Sequence, residues 1–218
     1  MLNKGWPTRS LVEVCQRGFH HQEWSLFLPI LKSETKPDAK SETSYVVLLN
    51  PPLVPFGQAL IQAGVDLERV IVVHITNKPD FLASFVELAR SESCSVLLAW
   101  QQNYALSYAE LRKCLLATNE GSGVRILFRS ESAQQQSSPA SLRILSEITA
   151  TDIHLRIFKQ KGVLQQRYSN PVKLPIPSEW KGLLPYHLLD QAGLPDKFEN
   201  SSAKRKSATI MPLRRSKR

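Results

Sequence analysis

The stretch LVEVCQRGFHHQEWSLFLPIL, residues 11–31, decides the fold class. It opens with an apolar run, Leu11-Val12-Glu13-Val14, and passes through a loop holding Gly18. Trp24, Phe27, Leu28 and Leu31 then fall at i, i+3, i+4 and i+7, the period of one helical face. A strand that feeds a helix N-terminus is the frame of a phosphate-binding loop, because the free N–H groups and the helix dipole point the same way. A working loop adds G-x-x-x-x-G-K-[ST]: glycines for close backbone approach, lysine for the terminal phosphates and a hydroxyl for Mg²⁺. Laid without gaps on residues 16–23, that pattern puts Gln16 and His21 at the glycines, Gln22 at the lysine and Glu23 at the hydroxyl. Glu23 brings a negative charge to the place where phosphate and its metal would sit. The frame is expected without its chemistry, and no nucleotide, metal or other cofactor is expected there.

Outward from this unit, apolar strands and helices alternate. Tyr45–Leu49 reads as a buried strand; a short helix starts near Phe56 and stops at Gly64, a helix-ending residue. Arg69–Ile75 reads as the next buried strand. The following helix has Pro79 in its first turn and Phe81, Leu82, Phe85, Leu88 and Ala89 on one side. Ser95–Trp100 is another apolar strand. Ser107 and Glu110 form a capping box for a helix ending near Gly121, and Val124–Phe128 completes the series. Apolar strands separated by helices predict an α/β fold with a mostly parallel sheet covered on both faces. From Ser137 the rhythm changes: Leu142–Ile148 and Ile153–Phe158 read as a hairpin through Thr149–Asp152, with Val172–Ile176 as a further edge strand. The sheet is therefore expected to finish in antiparallel strands. Residues 1–177 form the expected domain, 178–196 a docked C-terminal segment, and 197–218 a disordered basic tail.

The formal charge of the 218 residues is +9, but it is placed unevenly. Lys204, Arg205, Lys206, Arg214, Arg215, Lys217 and Arg218 lie after Asn200 with no acid among them, so the body is nearly neutral. The tail is expected to dock an acidic partner or hold DNA weakly through phosphates, in a salt-sensitive way. It lacks interleaved aromatics and should not stack bases. Cys15, Cys94 and Cys114 are odd in number and lack C-x-x-C spacing, which suggests neither a disulfide framework nor a zinc site. No apolar stretch approaches the roughly 20 residues of a membrane span. The start lacks the apolar core of a signal peptide, so a cytoplasmic location is expected. His20 and His21 near Glu23 do not have H-E-x-x-H spacing, and no G-x-S-x-G elbow occurs, so no catalytic residues are expected.

Several of these segments together resemble the SulA/ImuA group of bacterial SOS proteins, degenerate relatives of the RecA recombinase core. They are Gly5-Trp6-Pro7 before the first strand, Pro51-Pro52 with Pro55, Ala63-Gly64-Val65-Asp66-Leu67-Glu68-Arg69, the strand ending in Trp100, and Phe128-Arg129. Ser138-Pro139-Ala140-Ser141-Leu142-Arg143 and Phe158-Lys159-Gln160-Lys161-Gly162 look like the ImuA branch in particular. The resemblance implies a RecA-like three-layer α/β/α core. In RecA-type ATPases the strand equivalent to Ser95–Trp100 ends near an aspartate that orients the Mg²⁺ water; here that position falls at about Trp100, and an indole cannot coordinate a cation. The implied role is that of a non-enzymatic adaptor in damage-induced translesion synthesis. Its implied partners are RecA, an ImuB-like protein and a DnaE-type polymerase. SulA-like proteins instead bind FtsZ and block septum assembly. Where a large exposed aromatic contact is expected for that role, the helix after Pro55 offers Ala59 and Leu60.

Partner contacts are expected at Trp100, an aromatic at a strand's C-terminal end. A basic edge of the hairpin is expected from Arg129, Arg143, Arg156, Lys159 and Lys161, with the Lys159–Lys161 pair sharing strand parity.

Overall fold

A computed structural model describes residues 5–16, 26–36, 44–149, 152–162 and 171–175. Strands apolar on both faces need a covering layer on each side, and the chain supplies helices in two pairs. The strands are β1 (Leu11–Gln16), β2 (Tyr45–Leu49), β3 (Val70–Val73), β4 (Cys94–Trp100), β5 (Val124–Ser130), β6 (Leu142–Ile148), β7 (Asp152–Gln160) and β8 (Val172–Pro175). They form one eight-stranded sheet in the order β3-β2-β4-β5-β1-β6-β7-β8. The first six in chain order run parallel, and β7 and β8 are antiparallel additions at one edge. This is the α/β architecture that the alternating pattern predicts.

The helices are α1 (Leu28–Glu34), α2 (Gly57–Gln62), α3 (Lys78–Arg90) and α4 (Tyr108–Glu120). Side chains of a strand alternate between faces, so odd and even positions of β1 and β5 meet different layers. Val12, Val14, Ile126 and Phe128 share a core with Phe27, Leu31 of α1 and Leu60 of α2. Leu11 and Leu127 pack with Phe81, Phe85 and Ala89 of α3 and with Leu111, Cys114 and Ala117 of α4.

Local chemistry sets the helix ends. Asn77 Oδ1 accepts from Asp80 N at 2.9 Å to start α3. The Ser107–Glu110 capping box starts α4, and Glu110 also pairs with Lys78 Nζ at 2.8 Å, which ties the two helix starts together. α2 ends where Gly64 takes φ +81°. Arg125, fully buried in β5, donates to Ala89 O and Ser91 O, carbonyls at the C-terminal end of α3. A cation there satisfies orphan acceptors and complements the helix dipole.

Two expectations change. The strand expected over Arg69–Ile75 is the four-residue β3, and it is an edge rather than a buried strand: Ile71 and Val72 are exposed because only β2 flanks it among the described residues. The first helix begins with a short 3-10 turn at 26–27 and continues as α1; Trp24 lies outside the described residues.

The crossover from β5 to β6, residues 131–141, contains only the 3-10 segment Glu131–Gln135. Because β5 and β6 flank β1 and run parallel, this crossover returns across one face of β1 where a helix would ordinarily lie. Ala133 packs with Cys15 and Leu145 there. A non-helical backbone leaves its polar groups without internal partners, and the partners come from charged side chains of the sheet.

Candidate functional site

Open α/β sheets place ligands at the carboxyl ends of their parallel strands. In this chain a cleft of about 450 Å³ occupies that position, lined by Gln16, Trp100, Gln101, Gln102, Asn103, Phe128, Arg129, Ser130, Glu131 and Ser132. The three strands contributing to it are β1, β5 and β4, in that spatial order. Gln16 ends β1 and is nearly buried, with its Oε1 unpartnered among the described residues. Trp100 ends β4. Its ring stacks on Phe128 with centroids 4.6 Å apart and planes 6° apart, and only 6 % of the residue is exposed. The indole thus spends its surface on the core beside the cleft. His21, Gln22 and Glu23 lie outside the described residues, as do Lys204, Arg205, Lys206, Arg214, Arg215, Lys217 and Arg218.

Beneath the cleft lies a buried ion cluster centred on Glu13. Glu13 Oε2 accepts from Arg143 Nε at 2.7 Å and from Arg129 Nη1 at 3.3 Å, and Ser138 Oγ donates to Glu13 Oε1. All three charged side chains are buried. One carboxylate cannot serve two guanidiniums fully, and oxygens of the crossover and cleft rim take up the remaining donors. Arg143 Nη2 donates to Ala133 O at 2.7 Å and Nη1 to Gln136 O at 3.1 Å. Arg129 Nη2 donates to Gln136 Oε1 at 2.7 Å and Nε to Gln101 Oε1 at 2.8 Å. The Arg143 guanidinium also lies 4.8 Å over the Phe158 ring. Charge-assisted hydrogen bonds of this kind fasten the crossover to β1 and connect both rims of the cleft.

This cluster corrects the basic edge expected on the hairpin. Arg129 and Arg143 face the buried side of the sheet, since Cys15 pairs with Arg129 and Glu13 with Arg143 in the parallel register. Lys159 is half-buried and donates to Ser138 O; burial, then the nearby Arg143 charge, lowers its pKa. A register shift opposite Arg143/Ile144 puts Arg143 against Lys159 and Leu145 against Arg156, which brings Arg156 and Lys159 to one face three residues apart. Of the five expected cations, Arg156 and Lys161 are the exposed ones. Glu13, Gln101, Gln136 and Ser138 were not singled out by sequence. The signal for Glu13 is a lone carboxylate inside a strand otherwise apolar on both faces, a position that requires a cation.

The helix after Pro55 also differs from expectation. Leu60 is buried, while Phe56, immediately before α2, is 68 % exposed and neighbours the exposed Leu53 and Val54. Among the described residues no helix is long and apolar enough to cross a membrane, and no group of His, Cys, Asp and Glu is arranged to hold a metal ion.

No family model and no curated protein matches the chain. Among solved structures the chain is similar to SulA from Pseudomonas aeruginosa, with 21 % identity and a TM-score of 0.44 over 57 % of this chain and 99 % of that one. A likeness that low carries nothing about function, which rests on the chain's own residues.

Proposed function

We propose that this protein is a non-enzymatic adaptor of the bacterial DNA-damage response, ImuA-like, which contacts RecA or an ImuB/DnaE-type polymerase complex in the cytoplasm. The observation that carries the reading is the chemistry of the cleft at the ends of β1, β4 and β5. Its described lining is amide, hydroxyl and aromatic in character apart from the carboxylate of Glu131, an indole stands at the end of β4, and its cation, Arg129, is already committed to Glu13, Gln101 and Gln136. A bound magnesium triphosphate needs uncommitted positive charge beside its phosphates. Groups spent on each other in this way support a scaffold that works by contact. The apolar surface of Leu53, Val54, Phe56 and Ile61 supplies an area of the kind that protein partners cover. The basic tail is assigned the role of strengthening such a contact or holding DNA phosphates.

A second reading, a SulA-like division inhibitor that binds FtsZ, is favoured by Phe56. It supplies the large exposed aromatic beside α2 that Ala59 and Leu60 do not.

The two readings separate in a binding assay with the full chain immobilised and purified RecA, ImuB-like protein, DnaE-type polymerase and FtsZ passed over it in turn. Binding of RecA or the polymerase proteins supports the adaptor. Binding of FtsZ alone, lost in Phe56→Ala, supports the division inhibitor and removes the first reading. If the tail holds phosphates, DNA retention falls steeply as salt rises.

A further inference from the structure

The two edges of the sheet are built differently. β8 has Pro171 before it, Lys173 within it and Pro175 at its end, residues of the kind that discourage pairing with a further strand. β3 has none of these. Val70-Ile71-Val72-Val73 is an uninterrupted β-branched run without charge or proline, and Ile71 and Val72 are 42 % and 41 % exposed although they lie mid-strand. An edge of this composition, flanked only by β2 among the described residues, is a template for another strand.

The polar groups on that edge can be read from the ladder. Val73 O accepts from Asn50 N at 2.8 Å, so Val73 turns its backbone groups toward β2. Backbone direction alternates along a strand, so Ile71 does the same while Val70, Val72 and His74 turn theirs outward. Val70 N is already spent on Leu67 O, closing the 3-10 turn before the strand. The outward edge therefore presents, in order, an acceptor at Val70, a donor and an acceptor at Val72, and a donor at His74. This series of partial charges is its own complement when a second copy runs antiparallel with Val72 on the two-fold axis. Val72 then exchanges both hydrogen bonds with its counterpart, and each His74 N–H meets the other copy's Val70 carbonyl. Across the same axis Ile71 of one copy meets Val73 of the other, apolar against apolar. A shift by one residue would face outward groups with inward ones and make no ladder.

We infer that β3 is a self-association edge, at which two copies of this chain join their sheets antiparallel about Val72. The inference is independent of the proposed function.

Sedimentation and light scattering on the full chain across the micromolar range test it, together with two cysteine variants. The native cysteines are buried, so an added thiol on β3 is the accessible one. The dimer has twice the 24.6 kDa mass of the chain. Paired residues on the axis lie about 5.5 Å apart between Cα atoms, within disulfide range, so Val72→Cys should crosslink the dimer under mild oxidation. Ile71→Cys, facing the other copy's Val73, should not. Val72→Lys, on an already exposed position, should yield a folded monomer. A wild-type chain that stays monomeric throughout overturns the inference, whether or not another protein binds the edge. So does a dimer in which Val72→Cys fails to crosslink or Val72→Lys changes nothing.

Discussion

Arg143 Nε donates to Glu13 Oε2 at 2.7 Å, and both side chains are buried. Desolvation makes such a pair a modest net contributor, but removing one member leaves an uncompensated buried charge at a cost of about 3–5 kcal/mol. That is a large part of the roughly 5–15 kcal/mol that holds a domain folded. Glu13→Gln strands two guanidiniums and should lower the unfolding free energy by that amount, read as a fall in the urea midpoint. A midpoint within error of wild type would mean the cluster is wetter than its geometry indicates.

Replacing all three charges by apolar residues discriminates further. A simple buried ion cluster can be exchanged at little cost. Here Arg143 also holds Ala133 O and Gln136 O, which would be left unpaired at about 1–3 kcal/mol each. The triple variant Glu13→Leu, Arg129→Met, Arg143→Met should remain less stable than wild type, with faster hydrogen exchange in residues 131–141.

Gly123 is a close-approach position. A Cβ there would lie 2.1 Å from Arg125 Nη1 and 2.2 Å from Ser95 O. Gly123→Ala should force Arg125 off its carbonyl partners and destabilise the chain by about 1–3 kcal/mol, the usual cost of overpacking. Thermal unfolding of the variant measures it.

Glu110 sets an acid limb of stability. The hydrogen bond from Lys78, followed by bonds from Ser107, lowers its pKa from 4.5 to about 2. A depressed carboxylate contributes stability that is fully present above its unfolded value and is lost as pH falls through the native one. The contribution should therefore disappear between about 4.5 and 2. The pair is partly exposed, so screening holds the effect to about 1 kcal/mol or less. Glu110→Gln should be less stable than wild type at neutral pH and converge with it in acid, as read by urea titration at both extremes.

The three thiols should be inert in the folded chain. Burial raises the pKa of Cys15 and Cys94 to about 11 and that of Cys114 to about 12, so the reactive thiolate is scarce at neutral pH. A thiol reagent should label none of them under native conditions and all of them in denaturant.

The layers of the fold were legible because period carries them. The alternation of apolar runs with 3.6-spaced faces identified the strands of the sheet and α3 and α4, and Ser107 and Glu110 identified a helix start by their spacing alone. The role of β3 was not legible. VIVV reads alike in a central strand and at an edge, and only the strand order distinguishes them. Arg129, Arg143 and Lys159 were misplaced for a related reason: a charge in a strand is ordinarily solvent-facing, and nothing local to β5 or β6 reveals that Glu13, more than a hundred residues earlier, waits on the neighbouring strand. Gln16 is marked by laying the missing motif on the chain residue by residue and Trp100 by the resemblance and its place at a strand's end; both line the cleft.

The most direct measurement is calorimetric titration of magnesium ATP into the full-length chain, with the emission of its four tryptophans, Trp100 among them, followed in parallel. With Arg129 held by Glu13 and an indole closing the end of β4, only the heat of dilution and an unchanged tryptophan spectrum are expected. Saturable, magnesium-dependent binding that quenches or shifts that spectrum would contradict the account.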